Sequence, residues 1–122
     1  MAKTILIVDD SASFRQVVTL TLKGAGYEVI EGADGKDALT KMDGRKIHLI
    51  ISDVNMPNMD GLAFLRQVKA HPAYRFTPVI MLTTEGQEAK KAEGKAAGAR
   101  AWITKPFTPP AVLDAVSKLV LP

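Results

Sequence analysis

Three uninterrupted apolar runs constrain this chain more than any other feature: Ile5-Leu6-Ile7-Val8, Leu49-Ile50-Ile51 and Val79-Ile80-Met81-Leu82. They are continuous, not alternating, and rich in β-branched side chains, the pattern of parallel strands covered on both faces. Glu28-Val29-Ile30-Glu31 and Ala101-Trp102-Ile103-Thr104 are two weaker strand candidates. Helix-period segments lie between them. Phe14, Val17, Val18 and Leu22 share one face, with Ser11 or Ser13 as cap and Gly24 and Gly26 as stop signals. Ala38, Leu39 and Met42 mark a short second helix after Asp34-Gly35, and Leu62, Leu65 and Val68 a third, ended by His71-Pro72. A last helix opens at Pro109-Pro110 and carries Val112, Val116, Leu119 and Val120 on one side. The segment from Glu88 to Ala97 reads as a weakly held fourth helix with Ala89, Ala92 and Ala96 inward. Gly94 inside it costs about 1 kcal/mol relative to alanine. Strand and helix alternate five times, which predicts an α/β fold with a five-stranded parallel, doubly wound sheet.

A length of 122 residues suits one domain and one two-sided core. The hydrophobic fraction of 47% and the charged fraction of 24% are those of an ordinary globular protein. No apolar run approaches the roughly 18 residues that cross a bilayer, so no membrane association is expected. The N-terminal apolar stretch is short and ends in Asp9-Asp10, not in a small-residue cleavage site, so it is not expected to be a signal peptide. Cysteine is absent, so there is no disulfide framework, and a cytoplasmic location is expected. The net charge of +3 reads as a mixed solvated surface, not as a DNA-binding face.

In open parallel sheets ligands bind outside the carboxyl ends of the strands. Here the first strand ends in Asp9 and Asp10, the third in Asp53, the fourth in Thr83 and Thr84, and the fifth in Lys105. The second delivers Ala33 and Asp34, to which no role is assigned. Three carboxylates, a hydroxyl and an ammonium thus meet in one crevice. Clustered carboxylates repel and raise the pKa of at least one of them unless a cation intervenes. Oxygen ligands with open positions suit Mg²⁺, which keeps some of its waters. A carboxylate not fully engaged with the metal can attack a phosphoryl donor, with Lys105, the Thr83 hydroxyl and the metal answering the charge on the phosphoryl oxygens. No Gly-rich nucleotide loop accompanies these residues, which disfavours a phosphotransferase or phosphatase. The lone histidines, His48 and His71, read as surface residues.

The whole chain resembles a response-regulator receiver domain of the single-domain chemotaxis type. The resemblance is carried by Ile5-Leu6-Ile7-Val8-Asp9-Asp10, by Asp53 with Asn55-Met56-Pro57 and Asp60-Gly61, by Met81-Leu82-Thr83-Thr84-Glu85, and by Lys105-Pro106-Phe107. It implies the strand order 2-1-3-4-5. It implies Asp53 as phosphoacceptor, modified residue and metal ligand, Asp10 as direct Mg²⁺ ligand, Asp9 as a ligand mainly through water, and Asn55 as a ligand through its backbone carbonyl. Thr83 would bind the phosphoryl group and move on activation, and Lys105 would pair with the phosphoryl oxygens. A cis Lys105-Pro106 bond is also implied. The aromatic switch position falls on Trp102, where the family usually has Tyr or Phe.

Asn55 and Glu85 match the chemotaxis type, which resembles short-lived phosphorylation. The expected organisation is a single receiver domain over residues 1–122 with no output domain. The expected function is that of a two-component phosphorelay response regulator, not a conventional enzyme. It would take its phosphoryl group from a histidine kinase of the chemotaxis type and act by binding a flagellar switch or another effector, with a possible phosphatase as a further partner. A phosphate sink or relay receiver without an effector is the alternative. The protein is expected to be a monomer that binds no DNA. Lys90, Lys91, Lys95 and Arg100 make the surface of the fourth helix and fifth strand basic, which suggests an acidic partner.

Overall fold

The computed structural model describes residues 2–84, 88–105 and 108–120. Its elements alternate as the sequence predicts: β1 (Thr4–Val8), α1 (Ala12–Gly24), β2 (Glu28–Gly32), α2 (Gly35–Lys41), β3 (Leu49–Asp53), α3 (Gly61–Ala70), β4 (Val79–Thr84), α4 (Glu88–Ala96), β5 (Ala101–Lys105) and α5 (Pro109–Leu119). All strand pairs are parallel, in the order β2-β1-β3-β4-β5. The three apolar runs form the central strands β1, β3 and β4, and the two weaker candidates form the edges.

Pleating sends alternate residues to opposite faces, so each central strand feeds two cores. Ile5, Ile7, Leu49, Ile51, Ile80 and Leu82 pack with Val18 and Leu22 of α1 and Val112 and Val116 of α5. Leu6, Val8, Ile50, Val79 and Met81 pack against Ala38 of α2 and Phe64, Leu65 and Val68 of α3, with Trp102 at the margin. Every residue from Ile5 to Val8 and from Leu49 to Ile51 has no exposed surface. At about 25 cal/mol per Å² of apolar area, this two-sided burial is the main stabilising contribution.

The helix ends follow their side chains. Ser11, not Ser13, caps α1, its hydroxyl accepting from Phe14 N–H at 3.3 Å. Asp60 caps α3 through Ala63 N–H at 2.8 Å. The α1 C-terminus turns at Gly26 with φ +95°, a backbone region that favours glycine.

Three expectations about facing differ from the structure. Val17 is 55% exposed, because the stripe Phe14–Val18–Leu22 already fills the inward arc of α1. Ala92 and Ala96 of α4 are exposed, and the buried residue of that helix is Gly94. The Ala89 side chain lies outside the described residues. His48 and His71 are half-buried, and the Nδ1 of each accepts a backbone N–H, from Thr4 at 3.0 Å and Ala73 at 3.1 Å. Burial and the neighbouring charges of Lys3 and Lys46 hold the His48 pKa below its ordinary value. Among the described residues no helix is long and apolar enough to cross a membrane.

Candidate functional site

The register of the sheet brings the strand ends level. Val8 pairs with Ser52, Asp53 with Leu82, and Thr84 with Lys105. Asp9, Asp53 and Lys105 therefore emerge at one rim although up to 96 positions separate them in sequence.

Asp9 has no exposed surface. Its Oδ1 accepts the Ser11 N–H at 2.9 Å and its Oδ2 the Lys105 Nζ at 3.0 Å. Its carbonyl accepts Arg15 Nη1 at 2.6 Å, and the Nε of the same guanidinium reaches Glu31 Oε1 at 2.9 Å. That brace between α1 and β2 fixes the backbone of the acid pair, and sequence reasoning missed it. Spacing alone does not join Arg15 to Glu31 when the contact depends on parallel pairing of β1 with β2.

Asp53 is 7% exposed and its Oδ2 lies 3.3 Å from Lys105 Nζ. Burial, and next the Asp9 charge, push its carboxyl above the usual range. Lys105 and a hydrogen bond from the Asn55 backbone N–H pull the other way. The Ser52 hydroxyl donates to the Asp53 carbonyl at 3.0 Å. The same carbonyl explains the Asp60-Gly61 pair. A Cβ on Gly61 would stand 2.0 Å from the Asp53 oxygen, and Gly61 N–H donates to Val54 at 2.8 Å, so only glycine lets α3 begin this close to the site.

Lys105 is 20% exposed and its ammonium sits 4.1 Å above the Phe14 ring, a cation–π contact that adds to its two ion pairs. Asp10 is exposed and faces the open side. Asp9, Asp10 and Asp53 can each present one oxygen, all within 4.8 Å of one another. Oxygens gathered this closely can share one ion, and an all-oxygen set suits a hard divalent cation. The residues present thus fit Mg²⁺: three acids face one ammonium, a charge imbalance that a dication would correct.

Thr83 is buried on β4, one register step beyond the partner of Asp53. Asn55 is exposed in the β3–α3 loop. That loop is tied back by Asn58, at φ +66°, whose Nδ2 donates to Asp34 Oδ2 at 2.8 Å. Asp34 also caps α2 through Asp37 N–H at 2.8 Å. The residue at the end of the second strand thus anchors the loop that carries Asn55. Trp102 lies on the sheet face opposite Lys105, beside Met81. The implied cis bond at Pro106, and Glu85, lie outside the described residues.

A doubly wound parallel α/β domain with an acidic crevice at its carboxyl rim is the class that this fold and site define. The model of the response regulator receiver domain matches residues 5–117, and the chain belongs to that family. It is 40% identical over 107 residues to chemotaxis protein CheY1 of Helicobacter pylori, covering 86% of each chain. It is 39% identical over 109 residues to the phosphate regulon transcriptional regulatory protein PhoB of Pseudomonas aeruginosa, covering 89% of this chain and 48% of that one. Among solved structures it matches the chemotaxis response regulator CheY4 of Vibrio cholerae with a TM-score of 0.92 and 48% identity, covering 98% of this chain and 99% of that one. It is a CheY-like receiver domain of two-component signalling, a class of signalling proteins and not of conventional enzymes.

Proposed function

We propose that this protein is a phosphorylation-driven interaction switch of chemotaxis, receiving a phosphoryl group from a histidine kinase on Asp53 and signalling by association with an effector protein. The observation that carries the reading is the Asp53 carboxylate itself, at the end of β3, buried beside Lys105 at 3.3 Å and flanked by the oxygens of Asp9 and Asp10. The chemotaxis assignment is supported by the similarity to CheY1 and CheY4, whose chains this one covers for most of their length.

An Asp53 oxygen attacks the phosphorus of the donor. The bond from phosphorus to the donor's leaving atom breaks with its electron pair, and an acyl phosphate remains on Asp53. Lys105, displaced from its ion pair with Asp53, turns to the new phosphoryl oxygens while Asp9 still holds it. The Thr83 hydroxyl donates to another phosphoryl oxygen. Asp9, Asp10, Asp53 and the Asn55 carbonyl would hold Mg²⁺, which supplies positive charge against the phosphoryl oxygens when bound. The Asn55 N–H keeps Asp53 aimed outward from the strand end.

Incubation with acetyl phosphate and Mg²⁺ should add one phosphoryl group by intact mass. Asp53→Asn and removal of Mg²⁺ with EDTA should each abolish the increment. Modification of Asp53→Asn at the wild-type rate would overturn the assignment.

A further inference from the structure

Gly94 stands inside the last turn of α4, where alanine is the better helix former. Its reason for being there is spatial. A Cβ built on Gly94 would lie 2.3 Å from Cζ2 and 2.6 Å from Cη2 of Trp102, and 3.2 Å from Cδ2 of Leu62. The outer edge of the indole therefore occupies the volume that a side chain at position 94 would need. Among the described residues the indole Nε1 is buried without a hydrogen-bond partner, so no polar contact there holds the ring. The fit against the α4 backbone is what seats it.

The indole also lines a cleft of about 430 Å³ bordered by Lys91, Ala92, Lys95, Ala99 and Arg100. On its core side stand Leu62 and Met81, its β4 neighbour, both buried in the close-packed interior.

We propose that Gly94 is a positioning residue for Trp102. The gap at 94 keeps the indole against α4 and out of the basic cleft, and any side chain at 94 unseats the ring into that cleft, among Lys91, Lys95 and Arg100. The device is present in the unphosphorylated protein and does not depend on Asp53 as acceptor. Its bearing on signalling rests on the switch reading of Trp102, and the measurements below are made without phosphoryl group or mimic, so the two can fail separately.

Trp102 is the sole tryptophan, so emission reports its seat directly. Gly94→Ala should lower the melting temperature, shift the emission to the red, and raise quenching by iodide several-fold. Quenching by caesium should rise far less, because the ring would move among three cations. In a Trp102→Ala background the same Gly94→Ala change should raise the melting temperature, because the space is free and only helix propensity acts. This reversal of sign is the result expected. A rise in both backgrounds with unchanged emission would overturn the proposal, as would equal gains in iodide and caesium quenching. Should Gly94→Ala alone not fold, Gly94→Ala with Trp102→Phe decides. Phenylalanine lacks the six-membered outer ring that meets position 94, so this double variant should fold, and its failure to fold would sink the idea.

Discussion

At the rim of β1, β3 and β5 the buried acids are held several times over, whereas along the seam of α4 and β5 the buried indole N–H of Trp102 has no partner among the described residues. Asp9 is engaged by Lys105, Ser11 and, at its carbonyl, Arg15. Asp53 is engaged by Lys105 and the Asn55 N–H. The seam has only shape: an indole against a glycine. The crevice is over-determined, which suits the proposed role of a site whose geometry must survive the addition of a group. At the indole the seam rests on packing. A switch of the kind proposed would need both a fixed site that receives the signal and an element that reports it.

The largest expected effect breaks the crevice side of this contrast. Lys105→Met removes the ammonium between two buried carboxylates and leaves Asp9 paired only through a backbone N–H. Breaking a buried pair costs about 3–5 kcal/mol, and the partial exposure of Lys105 reduces that to about 2–4 kcal/mol here. Urea unfolding without Mg²⁺ measures it, and Mg²⁺ should narrow the deficit by supplying the missing charge. A loss below about 0.5 kcal/mol, no more than a surface change, would mean that the crevice is not held as described.

A smaller effect, of opposite sign, is expected at Asp53. Burial and the Asp9 charge raise its carboxyl above the ordinary 3.8. The folded protein therefore binds this proton more tightly than the unfolded chain does. Stability conferred by the protonated form is present below the unfolded value and is lost as pH rises through the raised folded value. Asp53→Asn should remove that loss. Without Mg²⁺ it should melt above wild type at neutral pH, and the gap should shrink as pH falls toward 4. The exposed Asp43 runs oppositely: Arg45 lowers its carboxyl to about 2, so its contribution is lost only in stronger acid. Equal melting of Asp53→Asn and wild type from pH 4 to 7 would remove the electrostatic strain from the crevice.

Much of the crevice was legible in the sequence because chemistry and position coincide there. Asp9, Asp10, Asp53, Thr83 and Lys105 each close a strand whose β-branched run announces it, and parallel strands end on one side. The seam was not legible. Alanines at 89, 92 and 96 give a helical period with hardly any apolar contrast, and a glycine at 94 reads as a break in a helix instead of a seat for a ring. Only the packing of Trp102 shows which face of α4 is inward. Asp34 and Arg15 escaped for another reason. Their partners, Asn58 and Glu31, come close through the topology of the sheet, which no local pattern contains.

The smallest expected effect tests whether the crevice is held independently of its surroundings. Asp60 caps α3 from the exposed side, and the next residue, Gly61, packs on the Asp53 carbonyl. Asp60→Ala removes one acceptor for an orphan helix N–H and an anion at the positive end of the helix, a loss of about 1 kcal/mol. Asp60→Ser should restore most of it, since the hydroxyl caps as well. Because Gly61 N–H still donates to Val54, the start of α3 stays anchored against β3 and the three acids keep their positions. The stabilisation conferred by Mg²⁺ should therefore be the same in Asp60→Ala as in wild type, whereas in Lys105→Met it should grow. Parallel melting curves with and without Mg²⁺ give both increments. If the Asp60→Ala increment collapses, the three acids depend on the cap, and the crevice is no more self-supporting than the seam.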